Sequence, residues 1–134
     1  MHARDMIRTH PHVSGNPNDA LIRCIEACYD CAQSCTACAD ACLGEDPMAE
    51  LVQCIRLNMD CADVCTATGA IATRRSGSNE AVVRAMLDAC ATACRLCAEA
   101  CEGHAAMHEH CRICAEACRT CEDACRRALP ALSH

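Results

Sequence analysis

From about position 18 onward, apolar residues recur every three or four places and charged residues fill the gaps. In CIEACYDCAQSCTACADAC, Cys24 to Cys42, the recurring residue is cysteine, at intervals of four, three, four, three and four. Residues three and four apart share one helix face. The interval therefore predicts an amphipathic helix whose inner face is made of thiols. The first helix is expected from Asn18 and Asp19 to about Leu43, with Gly44 as its stop. A second is expected from Asp46-Pro47, read as N-cap and first helical residue, to about Thr73. RRSGSN is read as a turn with Ser78 as a cap, before a third helix from about Asn79 to Glu102 that Gly103 ends. A fourth is expected from about Ala105 to Ala128, closed by Pro130.

No stretch alternates with the period of two that a half-buried strand needs. The pattern predicts an all-α protein: an antiparallel up-down-up-down four-helix bundle with a cysteine-lined core, spanning residues 18–134. Residues 1–17 hold His2, His10 and His12, two prolines and one glycine, and read as a flexible N-terminal tail.

The stripes use every cysteine of the chain. The first helix carries Cys24, Cys28, Cys31, Cys35, Cys38 and Cys42, and the second Cys54, Cys61 and Cys65. The third carries Cys90, Cys94, Cys97 and Cys101, and the fourth Cys111, Cys114, Cys118, Cys121 and Cys125. In the second helix Asn58 stands where the stripe would place a thiol, four after Cys54 and three before Cys61. These are core-facing positions of a bundle. Glu26, Asp30, Asp40, Arg95, Glu99 and Glu116 fall on the outer faces.

Composition sharpens this picture. Of the 52% hydrophobic residues, 26 are Ala and 18 are Cys, while Phe and Trp are absent. Val, Leu and Ile alone cannot supply a normal core, so cysteine must pack as a small hydrophobe. Net charge is −6 and Tyr29 is the one aromatic, which argues against nucleic acid or an anionic membrane as partner. The first residues contain no apolar signal-like run, and nothing approaches a membrane span. A cytoplasmic location, where thiols stay reduced, is the expectation. No nucleophile–base pair, phosphate loop or carboxylate dyad is visible, so no enzyme activity is expected.

Eighteen inward thiols admit several readings. Disulfides fit poorly, because neighbours on one stripe are too far apart and the compartment opposes oxidation. The five CxxC pairs lie inside regular stripes and lack the ferredoxin spacing. Zinc takes thiolates in tetrahedra, but the stripe shows no grouping into fours. Cu(I) is soft and accepts low coordination numbers. Eight CxxxC pairs each offer two thiolates one turn apart, and shared thiolates allow on the order of one metal per cysteine. A zinc or other soft-metal or thiol-redox buffer stands as the alternative.

The alternation of CxxxC and CxxC on successive helices, as in CIEACYDCAQSCTACADAC and CRICAEACRTCEDAC, resembles the bacterial copper storage proteins. The resemblance covers all but the N-terminal residues and is similar to the cytosolic branch of that family. It implies storage of multiple Cu(I) ions on the 18 cysteines and a homotetramer; it leaves the copper donor and acceptor open. Asn58 departs from the thiol pattern.

The two ends of the predicted bundle differ. One gathers Cys42, Cys54, Cys101 and Cys111 with the link HAAMHEH, where His104, Met107, His108 and His110 stand as further metal-ligand candidates with Asn58 one turn inside. Imidazole, thioether and amide are weaker donors, suited to passing copper inward. The other end gathers Leu21, Ile71, Leu87, Leu129 and Leu132 as an apolar plug. His2, His10 and His12 are expected to be solvated. Ile25, Tyr29, Leu57, Leu96 and Ile113 lie off or beside the stripes, where some are expected to cover contacts between bundles.

Overall fold

The computed structural model describes residues 1–132. The last two residues of the expected 18–134 bundle lie outside the described residues. Four long helices carry the fold: α2 (Asp19–Leu43), α3 (Val52–Thr73), α4 (Glu80–Glu102) and α5 (Glu109–Ala131). Each packs on two neighbours, in the ring α2–α3–α4–α5–α2. Cysteine contacts show the antiparallel register. Along α2 the sequence Cys24, Cys31, Cys38 meets Cys125, Cys118, Cys111 running backwards on α5. Cys54, Cys61 and Cys65 of α3 likewise meet Cys101, Cys94 and Cys90 of α4. Equal steps on both partners keep the thiol seam in phase along the whole bundle.

Four helix boundaries differ from the expectation. Asp46-Pro47 does not start a helix; a short 3-10 turn, Met48–Leu51, intervenes before α3. At α4 the N-cap is Asn79 and not the expected Ser78; the Asn79 side chain makes no capping bond, and its Nδ2 instead donates to the Ile71 carbonyl across the α3–α4 link. The expected start of the fourth helix at Ala105 is too early: residues 103–107 form turns and α5 begins at Glu109. Gly44 and Gly103 end their helices with right-handed dihedrals, so neither needs glycine's freedom. Pro130 sits inside the last turn of α5 rather than beyond it.

The N-terminal residues are not a free tail. They form α1 (Ala3–Arg8), whose Ile7 is 4% exposed against the bundle. Arg4 pairs with Asp19 at the start of α2, and the His10 ring meets Ser76 Oγ of the α3–α4 link at 3.3 Å. Burying one isoleucine contributes about 1.5–3 kcal/mol, enough to hold a short segment that composition alone marks as loose. This strap lies on the apolar end, where Leu21, Val83, Leu87 and Ala128 are buried and Ile71, Leu129 and Leu132 partly so.

Two of the five candidates for contacts between bundles lie inside this one. Ile25 is 1% exposed. Tyr29 is half-buried and its ring lies against Gly69 of α3, so close that a Cβ there would sit 3.0 Å from Cε2 and Cζ. With few large side chains available, the bundle uses both as fillers. Leu96 and Ile113 remain exposed on the outer faces.

Candidate metal centre

All 18 cysteines are buried and none is in a disulfide. Their sulfurs touch one another along the axis at 3.5–4.0 Å, for instance Cys24 with Cys125 at 3.5 Å and Cys35 with Cys118 at 3.6 Å. Several groups of four offer ligand atoms within 4.8 Å of one another: Cys28, Cys90, Cys121 and Cys125; Cys31, Cys35, Cys61 and Cys118; Cys35, Cys97, Cys114 and Cys118. Cys35 and Cys118 belong to two of these groups, so the sites are not separate tetrahedra. They merge into a continuous sulfur column, the arrangement that lets one thiolate bridge two soft ions.

The column is not uniform. Hydrogen bonds between thiols join Cys24, Cys28, Cys31, Cys35, Cys61, Cys65, Cys90, Cys94, Cys97, Cys114, Cys118, Cys121 and Cys125 into one network. The remaining five sit at the other end. Cys54 faces Cys101 at 3.7 Å, Cys38 faces Cys111 at 4.0 Å, and Cys42 joins the latter pair around His110. Hydrogen bonds of Cys38 and Cys101 with Cys114, and of Cys101 with Cys97, link these five to the inner thirteen.

Asn58, fully buried, fills the gap. Its Nδ2 donates to the Cys54 carbonyl at 2.8 Å and to the sulfurs of Cys54 and Cys101 at 3.4 and 3.6 Å. Its Oδ1 accepts from Cys114 at 2.9 Å, from Cys97 at 3.2 Å and from Cys101 at 3.9 Å. A buried amide is tolerated only when its donors and acceptor are engaged, and here both ends are.

The candidates at the mouth separate into three kinds. His110, half-buried, brings Nδ1 to 3.5 Å from Cys38 Sγ and 3.6 Å from Cys111 Sγ, and groups with Cys38, Cys42 and Cys111. Its buried Nε2 has no hydrogen-bond partner among the described residues, and Glu45 Oε2 stands 3.8 Å away. His108 stacks on His110 with ring centres 5.5 Å apart and pairs through Nδ1 with Glu45. Glu45, from the loop after α2, is a mouth residue the stripe pattern could not show, since it lies on no stripe. His104 is half-buried in the turn after α4, and its ring makes no hydrogen bond to a thiol among the described residues. Met107 is 76% exposed. Counting back from Cys111 by four reaches Met107 and by seven His104, but the chain turns there and the stripe does not exist before Glu109. At the opposite end His2 and His12 are exposed, and His10 is half-buried against Ser76.

Burial sets the protonation of the mouth thiols. It raises Cys42, and it pushes Cys111 up to about 12, with the neighbouring Cys42 adding to the effect. Farther in, hydrogen bonds from surrounding thiols divide the set. The bond from Cys125 holds Cys24 down at about 5, while Cys28, Cys94 and Cys118 are raised, first by their bonds with Cys121, Cys121 and Cys114. Most of the column is therefore neutral thiol without metal, and metal must displace protons to enter.

Residues 17–130 match the family model described as copper storage protein. The chain belongs to the copper storage protein family. Its structure is similar to that of Ccsp from Streptomyces lividans loaded with 10 copper equivalents, with 55% identity, a TM-score of 0.91, and coverage of 96% of this chain and 98% of that one. A cytosolic copper storage protein from Streptomyces lividans with five coppers is 59% identical, with a TM-score of 0.83 over 84% of this chain and 94% of that one. Cu(I)-bound copper storage protein BsCsp3 is 38% identical, with a TM-score of 0.69 over 77% and 92%. Comparison with curated proteins finds no match. No helix among the described residues is long and apolar enough to cross a membrane.

Proposed function

We propose that this chain stores Cu(I) in quantity, in the cytosol, on the thiolates of its 18 core cysteines. The observation that carries the reading is the merged sulfur column: every cysteine is buried and the four-sulfur groups share members. A carrier that hands on one ion needs two or three thiols near the surface. A column of this length serves capacity. The cytosolic location is supported by the similar Streptomyces lividans protein described as cytosolic. Storage, without a catalytic activity, is the proposed role.

Ligand roles follow from position. The cysteines supply the bridging thiolates. Among the described residues, His110 Nδ1, beside Cys38 and Cys111, is the imidazole we assign to receive copper and pass it to sulfur. His108 and Glu45 position it. His104 and Met107 are given at most an outer role in capture. The half-buried Leu57 and exposed Leu96 line a surface groove of about 620 Å³ between α3 and α4. That face supports association into a homo-oligomer, the tetramer resting on resemblance.

Anaerobic titration of the reduced protein with Cu(I) and, separately, with Zn(II), read by mass, tests the assignment. Storage on shared thiolates predicts saturation above about ten Cu(I) per chain, with proton release. Saturation near about four of either metal would instead indicate separate tetrahedral sites of the zinc type.

A further inference from the structure

We infer that Cys38, Cys42, Cys111 and His110, at the mouth of the empty store, hold a single Zn(II), which Cu(I) displaces as it enters. The site goes beyond the storage reading, and only the displacement rests on it. The four ligand atoms lie within 4.8 Å of one another. A zinc tetrahedron with Zn–S of about 2.3 Å and Zn–N of about 2.05 Å sets sulfurs about 3.8 Å apart and the nitrogen about 3.5 Å from each sulfur. Here Cys38 and Cys111 Sγ stand 4.0 Å apart, and His110 Nδ1 is 3.5 Å from the first and 3.6 Å from the second. Cys42 follows Cys38 by four on α2, so one helix turn presents both, while α5 supplies the adjacent His110 and Cys111. Three thiolates and one imidazole are a donor set that zinc takes in closed sites.

The far side of the ring fits as well. An imidazole that binds metal gives its other N–H to a carboxylate or carbonyl, which fixes the ring. His110 Nε2 is buried without a hydrogen-bond partner among the described residues, and Glu45 Oε2 is the carboxylate oxygen 3.8 Å from it. A proton on Nε2, directed at Glu45, leaves the Nδ1 lone pair for the metal. Charge confines zinc to this place. Zn(II) on three thiolates and a neutral imidazole carries one net negative charge, beside a ring that is only half-buried. In an inner group such as Cys28, Cys90, Cys121 and Cys125 it would carry two, among sulfurs that are all fully buried. An uncompensated charge in a dry core is costly. Cu(I) meets no such barrier, because about one ion per shared thiolate leaves the column neutral however far it fills. Zinc enters as three thiols lose three protons. Cu(I), softer and singly charged, then takes the same thiolates, and the zinc returns to solution.

The test adds Zn(II) to the reduced, metal-free protein without oxygen and reads native mass and X-ray absorption at the zinc edge. A single ion per chain is expected, with a first shell of three sulfurs and one nitrogen. Zinc affinity should fall by about 10–100-fold in Glu45→Ala and further in His110→Ala, with circular dichroism showing that the helices persist. Cu(I) added to the zinc-loaded parent should release the ion to a colorimetric zinc indicator. No zinc retained, a shell of four sulfurs, about four zinc ions per chain, unchanged affinity in His110→Ala, or zinc held through copper saturation would each overturn the site. Shell and count are read on the parent, so a variant that fails to fold does not shield the proposal. A Cu(I) capacity of about four in the metal-free parent would overturn storage and leave the zinc result standing, so the two failures are told apart.

Discussion

Gly69→Ala should destabilise this bundle although alanine is the better helix former. In the interior of an ordinary helix the exchange contributes about 1 kcal/mol of stability. At Gly69 the new Cβ would lie 3.0 Å from Cε2 and Cζ of Tyr29 and 3.3 Å from Cε1. Carbon atoms attract best at about 3.5–4.0 Å. The ring, or α3 against α2, must therefore move by about half an ångström, and overpacking of this kind costs about 1–3 kcal/mol. The ring is half-buried between two long helices, so the cost should exceed the gain and leave a net loss of about 1 kcal/mol. In a chain of this size that lowers the melting temperature by about 4 °C. In a Tyr29→Ala background the obstacle is gone, and Gly69→Ala should then stabilise by about 1 kcal/mol, a coupling of about 2 kcal/mol. Denaturant unfolding of the reduced, metal-free proteins, followed by circular dichroism, closes the double-mutant cycle. Equal stabilisation by Gly69→Ala in both backgrounds would show that Tyr29 yields freely and that the close approach of α2 and α3 carries no energy.

Leu87, fully buried in the apolar end, should cost about 2–5 kcal/mol when truncated to alanine, seen as a lower denaturation midpoint of the metal-free protein with copper capacity unchanged. The metal-free bundle should also weaken in alkali. Burial raises the Cys111 thiol from 9.0 to about 12, so the folded state holds its proton more tightly than the unfolded chain. That contribution is complete below pH about 9 and is lost as pH rises through about 12, and melts across this range should show the decline. Copper loading, which replaces those protons, should abolish that dependence. His110→Ala should slow both uptake of Cu(I) and its removal by a chelator, with capacity nearly intact because the 18 thiols remain; unchanged rates would move the entrance away from this end.

Cysteine spacing made the bundle and its column legible, because a stripe at intervals of three and four can close only by facing other stripes. Asn58 was visible in the same way, as the one break in that rhythm. What it does was not, since the opposed hydrogen bonds of its amide depend on four helices meeting. The mouth was harder to read. Met107 falls on the stripe of α5 by counting, but counting assumes a continuous helix, and the turns at residues 103–107 break the phase. Glu45 had no periodic signal at all; it reaches His108 because the link after α2 ends beside the link before α5. The N-terminal strap was misjudged on composition. Ala3, Met6, Ile7 and Val13 are scattered through a polar segment without forming a stripe, and only the apolar end of the bundle shows what Ile7 covers.

The central claim, that copper is held by the core sulfurs, is tested most directly by X-ray absorption at the copper edge on the fully loaded, reduced protein. The account predicts an edge characteristic of Cu(I), a first shell dominated by sulfur and a short copper–copper vector from thiolates shared between neighbouring ions. A first shell dominated by nitrogen and oxygen, with no metal–metal vector, would place the copper on surface histidines and carboxylates and contradict it.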